Sequence, residues 1–289
     1  MSTRSDCKAG GPTLANGNCT NNAPDGLPVQ CVGPWAADKH FYLKKYIDAT
    51  RAVRAQYLPP KGPGGAAFID LFAGPGIVRV RDTGELHDGS PLIALRHGDA
   101  PFNRLVFCDV DPDNVRALQT RTRDDRERTT VIQGDCNATI ERIAEHIPQH
   151  GLNIALIDPF NLANLKFATL RRLAEFARMD LVIHFPTGDI KRNLGKSDNT
   201  KRLLDEALGT TAWSSQISSM TDIAGLIEIF KKQLSTLGYL SQQARSAPIK
   251  NSQNLPLYYL VYASKDRRGD SIWQSITKNS PTGQRGFSF

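Results

Sequence analysis

Four acidic residues in this chain each close a short apolar run, and a glycine turn follows the first of them. The string Phe68-Ile69-Asp70-Leu71-Phe72-Ala73-Gly74-Pro75-Gly76 ends in that turn. Glycine reaches backbone dihedrals closed to other residues and lets the main chain approach a ligand to contact distance. At the carboxyl end of a strand in an αβ fold, this is the crest on which a nucleotide-like ligand rests. Asp109 closes Val106-Phe107-Cys108, and its two carboxylate oxygens match the vicinal diol of a ribose. Asp135, in Ile132-Gln133-Gly134-Asp135, can accept from the exocyclic amine of adenine. Asp158, in Ile157-Asp158-Pro159-Phe160, shares a proline-fixed turn with an aromatic ring. A carboxylate there can take a proton or hydrogen bond from a nucleophilic amine, while Phe160 stacks on a base.

An amino-acid end at Asp70, Gly74 and Gly76, a ribose at Asp109 and an adenine at Asp135 together describe S-adenosylmethionine. No third glycine completes Gly-x-Gly-x-x-Gly, which counts against a nicotinamide or flavin cofactor. Asp158 and Phe160 are then the catalytic candidates, facing whatever accepts a methyl group. Asp111 is expected to cap a helix starting at Pro112, and Ser90-Pro91 to open another. Ile77–Gly89 reads as a long loop after the glycine turn, either folding over the ligand or decorating the surface. No metal site is expected: Cys7, Cys19 and Cys31 fit no paired zinc spacing, and the odd cysteine count points to free thiols.

The elements that must position these residues alternate. Apolar runs at Ala66–Phe72, Arg104–Cys108, Thr129–Ile132, Ile154–Ile157 and Leu181–Phe185 are hydrophobic on both faces, as central parallel strands are. Helical patterns occupy Trp35–Tyr57, Pro91–His97, Pro112–Arg121, Ala138–His146 and Leu162–Arg178. Two further helices, at Lys201–Leu208 and Asp222–Leu237, precede a hairpin signal from Gly238–Ile249 and Leu255–Ser264. The expected fold is therefore α/β and Rossmann-like, of the class I methyltransferase type, its mostly parallel sheet closing in an antiparallel hairpin. Residues 1–34 read as a flexible leader, 35–264 as the methyltransferase-like domain with a helical insertion near 193–237, and 265–289 as a tail.

The 289 residues carry a formal net charge of +7, which favours a polyanionic partner such as nucleic acid. Lys44, Arg51, Arg171 and Arg172 supply basic faces for its phosphates. No apolar run reaches membrane-spanning length and no signal core opens the sequence, so a cytoplasmic protein is expected.

Taken in order, several strings resemble the three-Cys-motif partner protein family (TcmP). They are Asp25-Gly26-Leu27-Pro28, Trp35 with Lys39, the glycine turn, Gly89-Ser90-Pro91, Gly134-Asp135, Asp158-Pro159-Phe160, and Tyr258-Tyr259-Leu260-Val261-Tyr262-Ala263-Ser264. The resemblance implies a methyltransferase-like Rossmann fold with a winged-helix-like insertion, and a radical-S-adenosylmethionine-like partner protein bearing a three-cysteine motif. The family pattern has glycine after Asp-Pro-Phe, where this chain has Asn161. The expected function is S-adenosylmethionine-dependent methyl transfer to a nucleic-acid base. The alternative is a non-catalytic adaptor that keeps the fold to bind nucleic acid or the partner protein.

Overall fold

The computed structural model describes residues 13–98, 101–186, 198–217, 222–240, 246–250 and 256–278. A first strand, β1 (Gln30–Val32), leads into helices α1 (Ala36–Ala49) and α2 (Arg51–Ala55). Next come β2 (Ala66–Asp70), the pair β3 (Ile77–Val80) and β4 (Leu86–Asp88), and helix α3 (Ser90–Arg96). Three strand-helix units follow: β5 (Arg104–Asp109) with α4 (Pro112–Arg121), β6 (Thr129–Gln133) with α5 (Cys136–Ala144), and β7 (Leu152–Ile157) with α6 (Phe167–Leu173). After β8 (Met179–Pro186) stand α7 (Asp198–Leu208), α8 (Trp213–Gln216) and α9 (Ile223–Thr236). The antiparallel strands β9 (Ser246–Lys250) and β10 (Pro256–Ala263) and helix α10 (Arg267–Thr277) complete the described chain.

The main sheet has seven strands in the order β6-β5-β2-β7-β8-β10-β9. The first five run parallel, while β10 is antiparallel to both β8 and β9. This is the class I methyltransferase order, and the expected closing hairpin is present. Alternate residues of each central strand feed opposite layers, as period-2 geometry requires. Phe68, Phe107 and Leu156 pack with α1, α3 and α10, whereas Ile69, Val106 and Ile157 pack with α5, α6 and the helices α7–α9. The described part of the expected insertion is helical and seats Phe230 against both Phe167 and Phe185. The pattern read as one helix over Leu162–Arg178 is a short 3-10 turn at Leu162–Asn164 followed by α6.

Four expectations need correction, the first being the tail read from residue 265: it begins with α10, whose fully buried Trp273 packs against Tyr46 and Tyr262. The described part of the leader, Thr13–Pro34, is built into the fold: β1 pairs in parallel with β3, and Cys19, Ala23 and Val29 form a small buried core of their own. Ile77–Gly89 is no open loop, because β3 and β4 form an antiparallel pair that joins β1 in a separate three-stranded sheet. Cys31 is disulfide-bonded, so the thiols are not all free. Cys7 and residues 279–289 lie outside the described residues. Among the described residues no helix is long and apolar enough to cross a membrane.

Candidate active site

The strand order reverses at β2, which has β5 on one side and β7 on the other. Ligands of open αβ sheets bind at the carboxyl ends of the strands beside such a switch point. Asp70 ends β2, Asp109 ends β5, Asp135 follows β6 and Asp158 follows β7, so the fold sets all four acids along one crest.

The glycine turn is clipped to both neighbouring strands, with Leu71 donating to the Leu156 carbonyl and Ala73 to the Cys108 carbonyl. Gly74 and Gly76 have φ of 63° and 89°, in the region that favours glycine. Their surroundings differ. A Cβ on Gly76 would meet Leu118 Cδ1 at 3.0 Å, so this glycine serves helix packing and the turn. A Cβ on Gly74 would meet Gln30 Oε1 at 3.0 Å, on the outer side of the crest.

Asp70 is fully buried, and its Oδ1 accepts from Phe72 N–H at 3.1 Å. Burial pushes its pKa up to about 7, against the lowering effect of the Ser90 hydroxyl. Ser90 is the first residue of α3, with Gly89 rather than Ser90 as the N-cap.

Asp109 is partly buried, and burial raises its pKa despite the hydrogen bonds it receives. Oδ2 accepts from Gly74 N–H at 2.7 Å; Oδ1 accepts from Asp111 N–H at 2.8 Å and Asn114 Nδ2 at 3.2 Å. A carboxylate has about four lone-pair sites, so capacity for a ribose hydroxyl remains on Oδ2. Asp111 caps α4, as its sequence position requires. Asp135 caps α5 through Oδ1 and is exposed. Between Asp109 and Asp111, Val110 is 69% exposed, an apolar surface suited to the flat face of an adenine. Sequence reasoning passed over Val110, although an apolar residue between two acids at a strand end was a usable signal. The spare lone pair of Asp109 and the exposed Val110 fit an S-adenosylmethionine along this crest.

The Asp158 end of the crest holds the larger surprise. Lys39 Nζ donates to Asp158 Oδ2, and His184 Nδ1 hydrogen-bonds Asp158 Oδ1. Burial alone would raise the Asp158 pKa, but His184 and Lys39 together hold it well below the usual carboxylate range. His184 is buried, which lowers its pKa in spite of Asp158; its ring stacks on Tyr258 with centroids 4.9 Å apart. A neutral imidazole donates Nδ1–H to the carboxylate, and its Nε2 has no partner. Next to Lys39, His40 is buried too, and burial with the Lys39 charge lowers its pKa to about 3. Phe160 is 71% exposed on the turn beyond Asp158. The sequence offers Lys39 only beside Trp35 in a family-like string, and His184 is hidden in the apolar run Leu181–Phe185. A histidine inside a central strand was the signal to follow.

The sheet order and the crest define a class I methyltransferase fold. No family model matches the chain and no curated protein matches its sequence, so membership of the three-Cys-motif partner family is not shown. Among solved structures, a Legionella pneumophila protein shares 10% identity over 87% of this chain and 95% of its own, at a TM-score of 0.48. The methyltransferase domain of bacterial CtHen1 shares 16% over 78% of this chain and 100% of its own, at 0.38. M. jannaschii TYW2, solved in complex with AdoMet, shares 11% over 86% and 84%, at 0.41. At these identities and scores the likeness stops at the general fold.

Proposed function

We propose that this chain is an S-adenosylmethionine-dependent methyltransferase whose acceptor is a nucleic-acid base. The observation that carries the reading is the switch-point crest, where Asp70 and the glycine turn lie one strand away from Asp158 on one side and from Asp109 on the other. The cofactor, when bound, supplies an electrophilic methyl group. Asp109 and Asp135 hold its ribose and adenine, with Val110 against the ring. Asp158 then orients the acceptor amine: each of its oxygens keeps a lone pair after Lys39 and His184 are satisfied, and its side chain is 26% exposed. Phe160 offers a stacking surface for a single-stranded or extruded base. The net charge of +7 supplies long-range attraction to phosphates. A three-Cys-motif radical-S-adenosylmethionine-like protein is proposed as a partner on the strength of the sequence resemblance.

The second reading, a non-catalytic adaptor for nucleic acid or that partner, is favoured by one observation. Both oxygens of Asp158 are already tied, which suits a structural ion pair as well as an acceptor site. Calorimetry with S-adenosylmethionine, followed by radiolabelled methyl transfer over DNA, RNA and the partner protein, separates the two. Cofactor binding with labelled nucleic acid supports the enzyme; binding without any labelled product leaves the adaptor.

A further inference from the structure

The segment Thr13–Val32 is tied to the start of α4 beside the crest and pairs with β3 after the glycine turn. Asn16 Nδ2 donates to Asp111 Oδ2 at 2.7 Å, and Asn18 Nδ2 donates to Asn114 Oδ1 at 2.9 Å. Asn114 passes the connection on, donating to the carboxylate of Asp109, which in turn holds Gly74 N–H. The strap is therefore hydrogen-bonded, through one intermediary, to the acid expected to hold the ribose.

Its far end is fixed by Arg121, whose side chain is 4% exposed. The guanidinium donates to both carboxylate oxygens of Asp25 and to the carbonyls of Pro28 and Pro75. Pro75 sits between the two glycines of the turn, so one side chain binds strap and turn together. A fixed, five-donor guanidinium is suited to such a junction. Directly above the turn, Gln30 Oε1 stands 3.0 Å from the place a Cβ on Gly74 would take. A primary amide presents a donor and an acceptor side by side. That pair matches the carboxylate and ammonium of an amino-acid group lying on the glycine turn.

We propose that Gln30 is a cofactor-binding residue and that Thr13–Val32 forms an outer wall of the cofactor site. This rests on the S-adenosylmethionine reading above and adds to it a wall supplied from outside the strand-helix units. Ordering of the strap and ordering of the ligand then reinforce each other, since each presents partners to the other.

The test uses the full chain, calorimetry with S-adenosylmethionine and amide hydrogen exchange with and without it. Gln30→Ala is expected to weaken binding about tenfold, the equivalent of one ordinary hydrogen bond, with the melting temperature unchanged. Asp25→Ala, which loosens the anchor without touching the crest, is expected to weaken binding as well. The cofactor is expected to slow exchange across residues 13–32. Parent-like affinity in Gln30→Ala, or exchange that slows at Leu71–Gly76 and not across 13–32, overturns the wall while the cofactor reading stands. If the parent chain binds no S-adenosylmethionine, the cofactor reading fails and this proposal falls with it.

Discussion

Asp70 and Asp158 end neighbouring strands, yet their surroundings drive their acidities in opposite directions. At Asp70 burial outweighs the Ser90 and Phe72 hydrogen bonds and the Lys39 charge, and brings the pKa from 3.8 to about 7. Its native state therefore holds a proton that the unfolded chain has released, so stability falls as pH rises from about 4 to about 7 and then levels. Asp70→Asn removes that ionisation. The variant is expected to gain on the parent across this window, by on the order of 2–4 kcal/mol at pH 8, in chemical denaturation at a series of pH values. A constant difference from pH 4 to 8 would show that Asp70 is ionised throughout. Asp158 has the reverse sign: its depressed pKa adds stability above the ordinary carboxylate range, lost as pH falls through it. Replacing it by alanine leaves Lys39 and His184 without their shared anion, so folding is expected to suffer together with function. Asp158→Asn keeps the shape and is the cleaner probe. It should lower methyl transfer by ~10²-fold or more while nucleic-acid binding stays near the parent level, as loss of a positioned acceptor does. Parent-like turnover in Asp158→Asn would move the acceptor site elsewhere.

Element by element, legibility followed the range of the interactions. The central strands were readable because each is buried on both faces, and the cap of α4 because Asp111 acts on an amide two residues away, whereas Asp135, read for adenine alone, also caps α5. The strap gave no comparable signal. Its buried residues, Cys19, Ala23 and Val29, are few and small, and its polar partners lie about a hundred residues onward. Composition alone made it a mobile leader. The Lys39–Asp158–His184 cluster was equally opaque, since it joins α1, the end of β7 and the middle of β8. The strap's dependence on one side chain can be measured. Arg121→Ala strips partners from Asp25 and two carbonyls and is expected to cost about 2–4 kcal/mol in urea denaturation. A loss below ~0.5 kcal/mol would mark the junction as an ordinary surface pair.

For the whole molecule, the basic charge is not spread as the sequence implied. Arg172 is engaged by Glu141 and Glu175, so its charge is largely balanced within the surface of α5 and α6. Arg171 lies over the Phe167 ring. If phosphates bind this face, Arg171→Ala should reduce the slope of log affinity against log salt by ~0.9 for one lost contact to duplex DNA, or ~0.7 to a single strand. Arg172→Ala should change it less. Fluorescence anisotropy with labelled oligonucleotides across a salt series reads both, and equal slopes in all three proteins would place the phosphate track on another face.

The parallel pairing of β1 with β3, and the Asn18–Asn114 bond that spans 96 residues, also set an order of events during synthesis. At ~5–20 residues per second, residues 13–32 emerge from the ribosome several seconds before α4 exists to receive them. During that interval they lack Asp111, Asn114 and Arg121 to bind. Nascent chains halted before Arg121 has cleared the exit tunnel should therefore leave the strap open to protease, and chains released a few tens of residues later should protect it. The first described strand of the protein thus waits for partners that come much later in the chain.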